Sequence, residues 1–407
     1  MAGDPGGGPA GASRRPRYSR ARQVNVHVIP RTGRNNPLPL LAALFGATVI
    51  MSACSTTRPT AQVPAPELAG QDLTLEGVSQ LTPIVQLTGR DSINRTDRLG
   101  VYGCDLGSVF QDGNRTWFLF GDTFGRRPAS KIGAGGENWR SNTMAWTTAQ
   151  DPAGGITLDG WITDSQGTAK ELVSSKKVDG DEITVIPTNG VAANGALYIF
   201  YMSVRHWGAP GWWESNYSGV ARSTDNGQTW TKLDRPRWPG SSNFVQAGIW
   251  KQDGELQIWA IPSGRHGGVA LMKVPEAQIE RAESYRYYVG MRDGKPVWSL
   301  TMQDAAVIVD APVGELSAAW NPYLDRWILT YLNEHSHNLE IREAVAPWGP
   351  WGPARTLVSA MRYPALYGAF LCPSWTAEGG RVIYFTMSQF GPYNVFLMRA
   401  NLDRVSR

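Results

Sequence analysis

GVYGCDLGSVFQDGNRTWFLFGDTFG, residues Gly100–Gly125, reads as two strands folded about a tight turn at Gly113-Asn114. With two residues in that turn, Asp112 faces Arg115, and counting outward Asp105 faces Asp122. Facing residues on antiparallel strands have Cβ atoms about 5 Å apart. Two carboxylates that close, at the open end of a hairpin, oppose folding and suit acid/base chemistry. The pair marks a candidate site.

The same pattern recurs from Gly103 onward: an apolar strand, a turn, an aromatic strand ending in a polar cluster, and a third strand after a loop. Its five hairpins are LGSVFQDGNRTWFLFGD, NGVAANGALYIFYMSVRH, FVQAGIWKQDGELQIWAIPSGRH, ELSAAWNPYLDRWILTYLNEH and GAFLCPSWTAEGGRVIYFTMSQ. Third strands follow at NTMAWTT, SGVARST, GVALMKV, LEIREA and YNVFLMR, and fourth strands at GITLDGWIT, TWTKLD, YRYYV and ARTLV. The early strand TPIVQLTG is free to complete the last unit. Such self-similarity predicts an all-β fold, a five-bladed β-propeller of four-stranded antiparallel blades. A sandwich does not explain why a polar cluster recurs at the same corner of every unit, whereas a propeller brings all five corners to one face around the axis.

Ser223-Thr224-Asp225-Asn226-Gly227-Gln228-Thr229-Trp230 has the Ser-x-Asp-x-Gly-x-x-Trp form. It resembles the Asp-box turn of sialidases and related propellers, with Asp225 capping a turn and Trp230 packed between outer strands. That reading is structural rather than catalytic.

The first 53 residues are of another kind. Seven arginines precede an apolar run from Leu38 to Ala53, and Cys54 follows the small residues Ser52-Ala53. Basic region, short apolar region and small residues before a cut site describe a secretory signal, and a run of sixteen residues falls short of a membrane span of about 20. The cysteine resembles the lipobox of bacterial lipoproteins, so Cys54 is the expected lipidation site. The protein is then expected to be extracytoplasmic, anchored to the cell membrane by lipid and facing the cell wall. Because the basic region is long for a signal, starts at Val24, Val26 or Val28 also fit. Residues 54–76 form a Pro/Ala/Thr tether, and 77–407 the propeller.

Removing the signal takes seven of the 39 basic residues and one of the 35 acidic ones, leaving 32 against 34 and a net charge of −2. The basicity belongs to the signal, and no nucleic-acid partner is expected. Seventeen tryptophans, 45 glycines and 27 prolines in 407 residues suit a turn-rich β fold and exclude disorder over the whole chain. Cys104 and Cys372 sit toward opposite ends of their strands in the repeat alignment, so no disulfide between them is expected.

One register for all blades yields the residues of the shared face. They are Asp105 and Asp122 from blade one, and Thr188, Asn189, Arg205 and His206 from blade two. Blade three adds Asn243, Arg265 and His266; blade four adds Glu315, facing Glu334, with His335 adjoining; blade five adds Tyr367, Gln389 and Phe390. Trp207, Trp212 and Trp213 lie on the loop after blade two's second strand, where flat rings can stack on sugars. Each has a plainer role open to it: strand-end caps for the aspartates, backbone bonding for Glu315, hydrogen-bonding walls for the histidines. The histidines have no spacing that compels a metal, and no metal or cofactor is expected.

Taken together, Cys104-Asp105-Leu106-Gly107, Phe120-Gly121-Asp122-Thr123-Phe124, Glu182 through Thr188, Trp212 through the Asp-box, and Gly314-Glu315-Leu316-Ser317 resemble the bacterial endo-D-arabinofuranases. These are glycoside hydrolases once catalogued as a domain of unknown function. The resemblance runs from about Gly77 to the C-terminus. It implies a five-bladed propeller that cuts internal D-arabinofuranosyl linkages of the D-arabinan in arabinogalactan and lipoarabinomannan; a monomer is expected. It carries over Asp105 and Asp122 as the catalytic carboxylates and, more weakly, Glu315. Substrate binding is expected from Asn189, Arg205, His206, Trp207, Trp212, Trp213, Asn243, Arg265, His266, Glu334, His335 and Gln389. A carboxylate pair about 5–5.5 Å apart suits double displacement with retention, whereas a base at Asp105 with an acid at Glu315 would invert. The rival classes are a glycan-binding propeller without catalysis and a sialidase. The latter needs three arginines, where only Arg205 and Arg265 are candidates.

Overall fold

The computed structural model describes residues 73–405. The predicted signal 1–53, Cys54 and nearly all of the tether lie outside the described residues. Strand β1 (Leu75–Gln86) begins two residues before the expected propeller boundary. Blade one holds β2 (Leu106–Asp112), β3 (Arg115–Phe120), β4 (Thr143–Thr147) and the short β5 (Gly160–Trp161). Blade two holds β6 (Thr184–Ala193), β7 (Ala196–Trp207), β8 (Trp213–Ser223) and β9 (Thr231–Pro239). Blade three holds β10 (Gln246–Gln252), β11 (Glu255–Ile261), β12 (Gly267–Pro275), β13 (Arg286–Arg292), β14 (Lys295–Ser299) and β15 (Val307–Val313). Blade four holds β16 (Leu316–Asn321), β17 (Arg326–Leu332), β18 (Leu339–Ala344) and β19 (Arg355–Val358). Blade five holds β20 (Leu366–Ala377), β21 (Val382–Gln389) and β22 (Asn394–Arg404), with β1 as its outer strand.

This is the predicted five-bladed β-propeller. The innermost strands β2, β6, β10, β16 and β20 contact one another in a closed ring. The pairing of β1 with β22 ties the two ends of the described chain into one blade, so the ring closes without a gap.

The aromatic strands are aromatic because both of their faces are covered. Every residue of β3 except Arg115 is buried, as are the first nine of β7. Such strands read as continuous apolar runs rather than alternating ones. The buried clusters are the seams between blades. Phe110, Trp117 and Leu119 meet Val185, Leu197 and Ile199 between blades one and two. Tyr198 and Phe200 meet Leu256 and Ile258 at the next seam, and Trp375 and Tyr384 meet Phe118 where blade five closes on blade one. Each fully buried side chain of this kind contributes about 1.5–3 kcal/mol. Buried Cys104 and Cys372 share that last seam as free thiols.

The turns follow from residues that accept positive φ. Asn194-Gly195 (φ 50° and 72°) and Asp253-Gly254 (φ 52° and 75°) have the backbone twist that two-residue hairpins require. In the Asp-box, Asp225 accepts from the backbone N–H and hydroxyl of Thr229 at 2.8 and 2.6 Å. Those bonds hold its carboxyl at about 2, below the usual range. Trp230 donates to the Gly227 carbonyl at 2.9 Å, so the motif closes the β8–β9 turn, as its structural reading required.

Three details differ from the sequence reading. Blade three carries six strands: β14 pairs with β13 across an Asp293-Gly294 turn, and β15 pairs with β12. That Asp-Gly signal was present in the sequence. In blade four Asn321 pairs with Arg326, so four residues rather than two form the turn. Glu334 therefore lies beyond the end of the ladder and does not face Glu315. In blade one an extra residue enters β2, with consequences for the site.

Candidate active site

Leu106 and Gly107 both take positive φ (64° and 78°), and the ladder steps from Leu106–Phe120 to Ser108–Leu119. Two residues of β2 thus oppose one of β3, which is a β-bulge. A one-residue slip reverses which side a side chain takes. Asp105 consequently faces Gly121, whose N–H donates to the Asp105 carbonyl at 3.1 Å, and not Asp122. The facing carboxylate pair expected from the hairpin does not form.

The two aspartates are instead drawn to opposite neighbours. On the blade-five side, the Tyr367 hydroxyl donates to Asp105 Oδ2 at 3.0 Å. On the blade-two side, Thr184 Oγ1 and Trp139 Nε1 donate to Asp122 Oδ1 at 2.6 and 2.8 Å. They remain close: a Cβ on Gly121, the residue before Asp122, would stand 2.5 Å from Asp105 Oδ1. Only glycine leaves room for that carboxyl. Asp105 Oδ1 and Glu315 Oε2 are buried without a hydrogen-bond partner among the described residues.

Burial, then the charge of Asp122, lifts the Asp105 carboxyl to about 7. Burial also lifts Asp122, to about 6, against the pull of the Thr184 and Trp139 hydrogen bonds and of Lys177. Carboxyls held near neutrality by burial and a like-charged neighbour are the kind that acid/base sites use. A stability test follows. The unfolded chain releases the Asp105 proton near 4, the folded chain near 7. Folding stability therefore falls as pH rises through that window. Asp105→Asn should raise stability by up to about 4 kcal/mol at about pH 8, with the gain vanishing below about pH 4. Chemical denaturation at both pH values checks this.

The third carboxylate is ion-paired. Arg265 Nη2 and Nε donate to Glu315 Oε1 at 2.7 and 2.9 Å, and Nη1 lies 3.4 Å from Glu334 Oε1. The guanidinium also covers the rings of Tyr367 (5.0 Å) and Trp213 (5.8 Å). Backbone bonding of Arg265 N–H to the Gly211 carbonyl at 2.9 Å ties the tryptophan loop to this cluster. Trp212 is exposed and stacks on His266 with ring centres 4.1 Å apart, while Trp207 meets Trp213 edge-on at 5.5 Å. A cavity of about 20 Å³ lies among Leu106, Ile186, Met202, Leu316 and Phe370, with Glu315 on its wall.

Arg265, His266, Glu315, Glu334, Trp212 and Trp213 thus form one connected group beside Asp105, linked to it through Tyr367. Other expected substrate contacts bond outside this group, although the β7–β8 pairing sets His206 opposite Glu214 and Trp207 opposite Trp213. Arg205 donates to the Gly180 carbonyl and stands 3.9 Å from Glu214, and His206 Nδ1 lies 2.7 Å from Asp179, all in exposed positions. Asn189 is buried, with Oδ1 accepting from the Gly190 N–H at 2.7 Å. Gln389 reaches the Pro364 carbonyl at 3.4 Å, and Asn243 is half-buried before β10. His335 is exposed, and His337 Nδ1 lies 3.7 Å from Glu334 Oε2. Trp139 and Tyr393 were not foreseen. Trp139 sits in a loop outside the repeats, where no periodicity marks it.

A family model covers residues 91–399, which include both aspartates, the Arg265 cluster and Tyr367. The chain belongs to the family described as domain of unknown function DUF4185. Among curated relatives of this DUF4185 protein, Notoamide biosynthesis cluster protein J of Aspergillus sp. (strain MF297-2) is 28% identical over 312 residues, covering 72% of this chain and 81% of its own. Among solved structures, a candidate hydrolase from Bacteroides ovatus aligns with a TM-score of 0.51 at 13% identity, covering 74% of this chain and 86% of its own. The exo-beta-1,3-galactanase of Phanerochaete chrysosporium aligns with a TM-score of 0.50 at 9% identity, covering 80% and 67%. At such identities these likenesses show a shared fold.

Proposed function

We propose that this DUF4185 protein is a glycoside hydrolase that cleaves internal D-arabinofuranosyl linkages of cell-wall D-arabinan. The observation that carries the reading is the pair of desolvated aspartates, Asp105 and Asp122, beside a loop bearing an exposed tryptophan. The choice of D-arabinan rests on the resemblance of the motifs around Asp105, Asp122 and Glu315 to the endo-D-arabinofuranases.

In this reading Asp105, the stronger holder of a proton, is the general acid for the leaving oxygen. Asp122 keeps Oδ1 in two hydrogen bonds and Oδ2 free of any among the described residues, so Oδ2 is the attacking atom. Attack by Asp122 gives a glycosyl-enzyme, and Asp105, now a base, activates the water that releases it with retention. Proton magnetic resonance of the first-formed anomer tests this; inversion would move the second role to Glu315. The free-enzyme kcat/KM should rise through about 6 as Asp122 ionises and fall through about 7 as Asp105 does. A flat profile from pH 5 to 9 would argue against both roles.

The decisive experiment incubates residues 55–407 with purified arabinogalactan. Release of short arabinose oligomers supports endo-cleavage, and binding without release favours a glycan-binding module. The lipobox-like Cys54 supports placing the enzyme on the outer side of the cell membrane, anchored by lipid. Metabolic labelling with an alkyne fatty acid, with Cys54→Ala as control, tests that location.

A further inference from the structure

We propose that Tyr367 is the positioning residue that decides which oxygen of Asp105 carries the transferable proton, an inference resting on the acid role given to Asp105 above. Tyr367 lies on β20, across a blade seam and 262 residues along the chain from Asp105, and it is 5% exposed. Its hydroxyl donates to Asp105 Oδ2 at 3.0 Å and has no other acceptor among the described residues. With Oδ2 occupied as an acceptor, the carboxyl proton belongs on Oδ1. That is the oxygen left without a partner, the one lying against Gly121 next to Asp122. An unpartnered buried carboxyl oxygen is costly whether or not it bears a proton, and a native structure that keeps one leaves it open to a further partner such as a substrate oxygen. The phenol is thus a fixed donor, and Oδ1 the hand-over atom.

The phenol is itself held in place. Arg265 stands 5.0 Å over its ring and is fastened by Glu315 and Glu334. Burial, then the charge of Asp105, keeps the Tyr367 proton on well beyond neutral pH, so the donor does not titrate in the working range. The groups facing Asp105 are Tyr367 from β20, Tyr393 ahead of β22, Asp122 after β3 and Glu315 ahead of β16. Its neighbour Cys104 is buried and keeps its proton. Of these, the two phenols favour the carboxylate and the two acids oppose it, with Tyr367 the stronger phenol.

The test is a direct titration of the Asp105 carboxyl in the full chain without substrate, by infrared difference spectroscopy against Asp105→Asn. Tyr367→Phe keeps the ring under Arg265 and removes the donor. The carboxylate loses support, so the midpoint should move up by about half to one pH unit, with the melting temperature nearly unchanged. Tyr393→Phe should move it the same way by less. 3-Fluorotyrosine at position 367, a stronger donor, should move it down. In turnover, Tyr367→Phe should lower kcat about tenfold or more, leave KM unchanged and carry the alkaline limb upward with the midpoint. An unmoved midpoint, or a larger shift from Tyr393→Phe, overturns the assignment. Because the titration needs no glycan, a missing arabinan activity would sink the function while leaving this readout intact.

Discussion

Asp105→Asn should lower glycan cleavage by about 10³-fold or more, about 4 kcal/mol of transition-state stabilisation, while glycan binding stays intact. The amide keeps the acceptor for the Tyr367 hydroxyl and fits the space beside Gly121, so the fold has no reason to change. What it lacks is a proton to give to the leaving oxygen. Release of reducing ends from arabinogalactan, compared with retention of the same glycan on an affinity gel, separates the two effects. If Asp105→Asn cleaves as well as the natural protein, the acid is elsewhere. If neither protein cleaves and both bind, the propeller is a glycan-binding module and Trp212 matters more than any carboxylate.

Arg265→Leu should destabilise the protein by about 3–5 kcal/mol at neutral pH. The substitution leaves Glu315 and Glu334, whose side chains are 10% and 16% exposed, without their shared cation. Two like charges that had shared one guanidinium then remain in a poorly hydrated mouth, and the packing over Tyr367 and Trp213 is lost as well. For a domain of this size the melting temperature should drop by roughly 5–10 °C. The sign of the pH dependence is diagnostic. Unpaired buried glutamates hold their protons more tightly in the folded than in the unfolded state, so the deficit should shrink as pH falls toward about 4. Glu315→Leu on the Arg265→Leu background should recover part of the loss, because only one uncompensated charge then remains. Additive destabilisation by the two changes would show that the ion cluster is not a unit.

Much of this protein was legible as text. Repeated strand patterns and Asn-Gly and Asp-Gly turns are local, and local chemistry sets hairpin positions without knowledge of partners. Hence the blade count, the closure by the early strand near residue 82 and the structural role of Asp225 follow from residues alone. The polar ends of the second strands likewise pointed to Asp105, Asp122, Arg265, Glu315 and Glu334. Errors arose where a count of residues had to stand in for geometry. One inserted residue at Gly107 turned Asp105 from Asp122 toward Tyr367, and a four-residue turn carried Glu334 past Glu315. Conversely, Arg205, His206, Asn189 and Gln389 held equivalent places in the pattern and yet found their own partners elsewhere. Sequence by itself determined the ring of five sheets and which face gathers polar chemistry, because turn preference and apolar periodicity are properties of neighbouring residues. Only the tertiary structure decided the pairing of carboxylates with Tyr367, Thr184, Trp139 and Arg265, because those partners come from other blades or loops and meet through packing, which no spacing along the chain encodes.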